Sequence, residues 1–341
     1  MRIAALTATV LLLAMGVAAC TPDRPAVDDP AVREGARELP PAQAAAMPMP
    51  APGVNAAPAG NPADYLAYQA AKTQLLPLLA SGNPRQRLAA LLMQPDFPHD
   101  DWHQAVVGLL LADGGRDPLL AGQALVACAG WKACPREQVL ALTAGLAADD
   151  ARLQLLRLAL SEPALHESLW EAAAQAPLYV DPFETHVEAL MAATVPLATG
   201  TQNDHWRAVE AVAIASTASG SELHQLDQRC PPASSVNERV LQCRQLALRL
   251  AQSPTMVTAQ MGMAVLLRQA LPAAEAARWG QLQRQLRWQL QLALPLVDAE
   301  PMYPRQMAEH GERGAIIWLL RQRGLPLNPP PHWQPGQPTG Y

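Results

Sequence analysis

The stretch Trp279 to Leu290 reads WGQLQRQLRWQL. Trp279, Leu282, Leu286 and Leu290 fall three or four residues apart, which lines one face of an α-helix, and arginine and glutamine fill most of the positions between them. The stripe lies in a run from Pro272 to Leu294, longer than strands usually are. The same spacing recurs in Leu153, Leu156 and Leu160, and again in Val240, Cys243, Ala247 and Leu250, so each set is read as a core face. Composition agrees: hydrophobic residues make up 50% of the chain, yet there are four isoleucines and two phenylalanines against an excess of leucine and alanine. Strands favour β-branched and aromatic residues, so the expected fold class is all-α.

Five helix starts announce themselves as a capping residue followed by proline: Asn61-Pro62, Asn83-Pro84, Asp117-Pro118, Asp181-Pro182 and Ser253-Pro254. The first side chain accepts an orphan amide hydrogen, and proline at the first helical position has no hydrogen bond to lose. Glu184, three residues after Asp181, completes the pattern of a capping box. Roughly twelve to fifteen helices joined by short turns follow from this punctuation. Some starts lie about 34 residues apart, which suits stacked helical hairpins, but the tetratricopeptide pattern is missing. An irregular α-solenoid and a compact helical array both remain open over residues 63–323.

The first twenty residues are of another kind. Arg2 precedes an apolar run from Ile3 to Ala19 that tapers to small side chains and is short for a membrane-spanning helix. Val17-Ala18-Ala19-Cys20 resembles the lipobox of bacterial lipoprotein precursors. That resemblance implies a signal peptide over residues 1–19, cleavage before Cys20, a diacylglyceryl thioether on its sulfur and a fatty acyl group, such as palmitate, on the new amino terminus. Several acyl chains anchor stably where a single one is marginal. Thr21 stands where an aspartate commonly marks inner-membrane retention, so the expected location is the cell envelope, at the outer membrane facing the periplasm. Residues 20–62 carry ten prolines from Pro22 to Pro62 without apolar periodicity, and read as a tether with a reach on the order of 40 Å. Residues 324–341 read as a second proline-rich segment, a free tail that Trp333 and Tyr341 would otherwise dock on the domain or a partner.

Four cysteines besides Cys20 remain in an oxidising compartment: Cys128, Cys134, Cys230 and Cys243. Three pairings are possible, and proximity favours Cys128 with Cys134 and Cys230 with Cys243, each stapling a turn to a helix. No Cys-x-x-Cys pair points to zinc instead.

Signals for chemistry are thin. His99 and His103 in HDDWH are four apart, as zinc-binding histidines on a helix are, but aspartate stands at the general base and Pro98 puts His99 at the helix start. Glu167-Ser168 matches the glutamate-serine pair of lysozyme-like lytic transglycosylases, and its continuation LWEAAAQAP departs from the glycine-rich one expected there. Glu184, His186 and Glu188 are two apart and therefore face different ways on a helix. No phosphate loop, hydrolase elbow or dinucleotide fingerprint occurs. The charge of −5 is modest, and no basic block suggests nucleic acid. No catalytic residue, metal or cofactor is assigned. The expectation is a lipid-anchored, non-catalytic binding or scaffold module with an envelope protein or peptide as partner; an immunity or inhibitor lipoprotein is a narrower form. A cell-wall-acting enzyme using Glu167 is the alternative.

Overall fold

The computed structural model describes residues 62–94, 101–198, 201–217, 222–233 and 235–337. The leader, Cys20 and its tether, His99 and Tyr341 lie outside them. The described residues form fourteen α-helices and no strand. The first half holds α1 (Pro62–Ala80), α2 (Pro84–Leu92), α3 (Trp102–Asp113), α4 (Pro118–Gly130), α5 (Arg136–Ala147), α6 (Ala151–Leu160) and α7 (His166–Gln175). The second holds α8 (Pro182–Ala193), α9 (Thr201–Thr217), α10 (Leu223–Arg229), α11 (Glu238–Ala251), α12 (Met256–Leu267), α13 (Ala273–Val297) and α14 (Tyr303–Gln322).

Three expected starts, at Asn83, Asp117 and Asp181, are capped helix starts, while Asn61 lies outside the described residues. Asn83 accepts from the Gln86 amide while Gln86 returns a bond to the Asn83 N–H, a complete capping box. Asp117 and Asp181 accept from Leu119 and Phe183, each at 2.9 Å, so Asp181 caps the second helical amide rather than that of Glu184. Ser253-Pro254 is the exception. Helix α12 begins two residues later, because the Pro254 carbonyl is taken by the Arg313 N–H at 2.9 Å and Ser253 turns to Asp181. The first amide of α12, that of Met256, is met from far along the chain by Glu312 at 2.7 Å. Glu312 reaches it because α14 breaks at Gly311, whose φ of 68° and ψ of 173° suit glycine almost alone.

Most sequence neighbours pack as hairpins, but α9 also packs on α1 and α14, and α8 on α2 and α14. In a solenoid each repeat touches only its neighbours. These cross-contacts make the molecule a compact helical array. Two apolar cores fill it. One is built by α1 to α5 and holds Leu110, Leu120 and Leu125; the other is built by α7 and α10 to α14 and holds Trp170, Leu246 and Trp288. Helices α6, α8 and α9 stand between them. Leu153, Leu156 and Leu160 of α6 enter the first core, while Ala151, Leu155 and Leu158 on its other faces enter the second. A helix with apolar residues on opposite faces belongs in the interior.

On α13 the opening stripe is core-facing, with Trp279 and Leu286 buried and Leu282 and Leu290 half-buried against the second core. Its other side holds the C-terminal segment, which is packed rather than free. Trp288 Nε1 donates to the Pro326 carbonyl at 2.9 Å, Gln289 to that of Leu327 at 3.0 Å, and Arg284 to those of Pro331 and Trp333, each at 2.9 Å. Trp333 is buried edge-on against Trp288, with ring centroids 5.1 Å apart. The polar side chains of one helix face thus satisfy the carbonyls of a segment that makes no ladder of its own.

Candidate functional site

Glu167 leads to the most chemically distinctive surface. It shares a face of α7 with Trp170, three residues on, and Arg239 shares a face of α11 with Gln242 in the same way. Helices α7 and α11 pack together. Trp170 is fully buried, and its Nε1 donates to Gln242 Oε1 at 2.9 Å. Two guanidinium groups lie near its ring: Arg239 at 5.1 Å and Arg229, the last residue of α10, at 5.8 Å from the centroid. Such stacking is worth about 0.5 to 1 kcal/mol for a partly exposed cation. The Glu167 carboxylate bridges both, with Oε1 accepting from Arg229 at 3.1 Å and Oε2 from Arg239.

The Cys230–Cys243 pair sets this spacing. Its Cα atoms are 5.7 Å apart, within disulfide reach, and both residues are buried. Cys230 follows Arg229 directly, while Cys243 lies one helical turn after Arg239, so the bridge holds the two arginine-bearing segments in register. Cys128 and Cys134 are likewise paired, at 5.3 Å, across the turn between α4 and α5. These are the two local pairings that proximity favours.

The environment of Glu167 is the opposite of a general acid's. Its side chain is 72% exposed, and the hydrogen bond from Arg239, with the charge of Arg229, holds the carboxyl below its ordinary range. A glycosidase acid needs a raised value. An open hollow of about 610 Å³ lies elsewhere, beside Lys132, Cys134 and Arg136.

The remaining candidates do not assemble. His103 packs edge-on against Trp102, and His99 is outside the described residues. His186 is buried, with Nδ1 at 2.5 Å from the Pro182 carbonyl and Nε2 at 2.6 Å from Gln123, while Glu184 and Glu188 face solvent. Burial drives the imidazole down to about 4, so it is neutral near pH 7. Among the described residues, no three His, Cys, Asp or Glu side chains are grouped to hold a metal ion, and no helix is long and apolar enough to cross a membrane.

Sequence reasoning picked out Glu167 but missed Trp170, Arg229, Arg239 and Gln242. A signal existed: once Cys230 pairs with Cys243, Arg229 must lie near the first turns of α11. Compared with protein families, with curated proteins and with solved structures, the chain matches none.

Proposed function

We propose that the chain is a lipid-anchored envelope protein whose helical array serves as a non-catalytic binding or scaffold module. The observation that carries this reading is the Trp170 cluster. Arginine is among the side chains that dominate protein-recognition surfaces, and the buried Trp170 is the platform that orients two of them here. Here both arginines are oriented by stacking and by a disulfide rather than left mobile. The lipobox-like Val17-Ala18-Ala19-Cys20 and the proline-rich residues 20–62 support membrane attachment with stand-off. The lowered carboxyl of Glu167 weighs against glycan cleavage.

A photoreactive benzoylphenylalanine placed at Ser168, beside Glu167 on the exposed side of α7, tests the reading in intact cells. The expected result is a discrete covalent adduct with one envelope protein, and no release of soluble fragments when purified protein is incubated with cell-wall sacculi. Glycan fragments released by the wild type and lost in Glu167→Gln would overturn the reading in favour of the enzyme.

A further inference from the structure

We infer that the Arg229–Arg239 pair docks an acidic peptide segment of a partner protein, and that Glu167 occupies the site as an internal competitor. The inference rests on the binding-module reading and names the partner's chemistry. Two observations carry it. The first is an asymmetry within the ion pairs. Side chains of Arg229 and Arg239 are only 20% and 32% exposed and are fixed against Trp170, whereas that of Glu167 is 72% exposed. A carboxylate so placed swings away without burying a charge and gives up an interaction worth little on a surface. The arginines stay behind, oriented to receive another carboxylate in the paired geometry that guanidinium groups favour.

The second observation is the balance of charge. Arg229 and Arg239 both pair with the same carboxylate, that of Glu167, so two guanidinium charges meet one carboxylate and the cluster keeps a positive charge. A guanidinium pair with charge to spare fits a peptide segment that bears an acidic residue. A lipid surface fits less well. Polybasic membrane sites gather about four to eight cations, whereas two arginines stack here, on a chain whose net charge is −5.

The test selects a phage-displayed random dodecapeptide library on the full chain in mild detergent, then measures the selected peptides by fluorescence anisotropy. Selected sequences should be enriched in Asp or Glu. Arg229→Gln and Arg239→Gln should each weaken binding about tenfold or more, as expected for a lost charge-assisted bond. Glu167→Gln should tighten it by about fivefold, because the competing carboxylate is gone. Glu167 is exposed, so this variant keeps the test decisive should an arginine variant fail to fold. Peptides without acidic enrichment, affinities indifferent to the arginines, or weaker binding by Glu167→Gln would overturn the inference. So would phosphatidylglycerol vesicles binding wild type but neither arginine variant while no acidic peptide is selected. A Ser168 adduct with an envelope protein, formed equally by both arginine variants, would sink this inference while leaving the module reading in place.

Discussion

Replacing Glu312 with glutamine should leave stability almost unchanged in acid and raise it at about pH 8. Glu312 follows the Gly311 break in α14, and its Oε2 accepts from Met256, closing the first turn of α12. Burial, with Asp181 nearby, pushes its carboxyl from 4.5 up to about 7. The folded protein therefore keeps a proton that the unfolded chain releases. A raised carboxyl value is harmless below about pH 4.5 and destabilises progressively as pH climbs to about 7; at about 1.4 kcal/mol per pH unit the loss reaches at most about 3 kcal/mol. Glutamine retains a carbonyl for Met256 and carries no charge, so it escapes the loss. His186 runs the other way. Its imidazole falls from 6.5 to about 4, so the folded state binds fewer protons and stability rises across that interval. The two contributions nearly cancel over the same range, which predicts a flat profile for these groups in wild type and a rise with pH in the variant. Urea denaturation followed by circular dichroism at about pH 5, 6 and 8 measures the difference between the two proteins. A difference that is the same at every pH, or a wild type that is the more stable at about pH 8, would refute the reasoning.

Gly311→Ala should destabilise by about 2 to 4 kcal/mol, since the backbone conformation excludes a side chain and a Cβ would meet Pro254 Cβ at 2.8 Å; denaturation at constant pH reads it. Trp333→Ala should cost about 2 to 4 kcal/mol and expose Trp288, visible as a red shift of tryptophan emission; an unchanged spectrum and midpoint would mean the segment is not docked. Reducing the two disulfides should lower stability by at most about 2 to 3 kcal/mol each while the helical signal persists, and all four thiols should resist alkylation beforehand. Cys20→Ser should abolish labelling by a clickable fatty acid; equal labelling of the two proteins would remove the anchor.

Helical structure was legible because it is local. Proline at the first helical position, an acceptor before it and a leucine every third or fourth residue needed no tertiary knowledge, and Asn83, Asp117 and Asp181 cap as their side chains require. Ser253-Pro254 misled because a local motif was outbid by distant partners, Asp181 for the hydroxyl and Arg313 for the carbonyl. The docking of residues 326–337 was hidden for a related reason. A proline-rich segment has no period of its own, and the polar groups that hold it, Arg284 and Gln289, look like ordinary solvated positions between the leucines of α13. Around Glu167 the carboxylate was visible, but its value to the molecule depends on Arg229 and Arg239, more than sixty residues away in sequence. Pairing of side chains across separate helices carries no signature in spacing.

The wall shared by the two cores has a mechanical consequence. Residue 62 enters the first core's block through α1, whereas the Trp170 surface belongs to the second. Tension applied between those points runs through α6, α8 and α9, whose opposite faces are packed into different cores. The tie from α1 into that wall is polar and partly buried: Lys72 and Tyr68 both donate to Glu210 of α9, at 2.5 and 2.6 Å. A pull directed along the chain loads this grip in series with the helix packing. A load applied at residue 62 therefore meets the first core's packing and the grip on Glu210 before it reaches the block that carries Arg229 and Arg239.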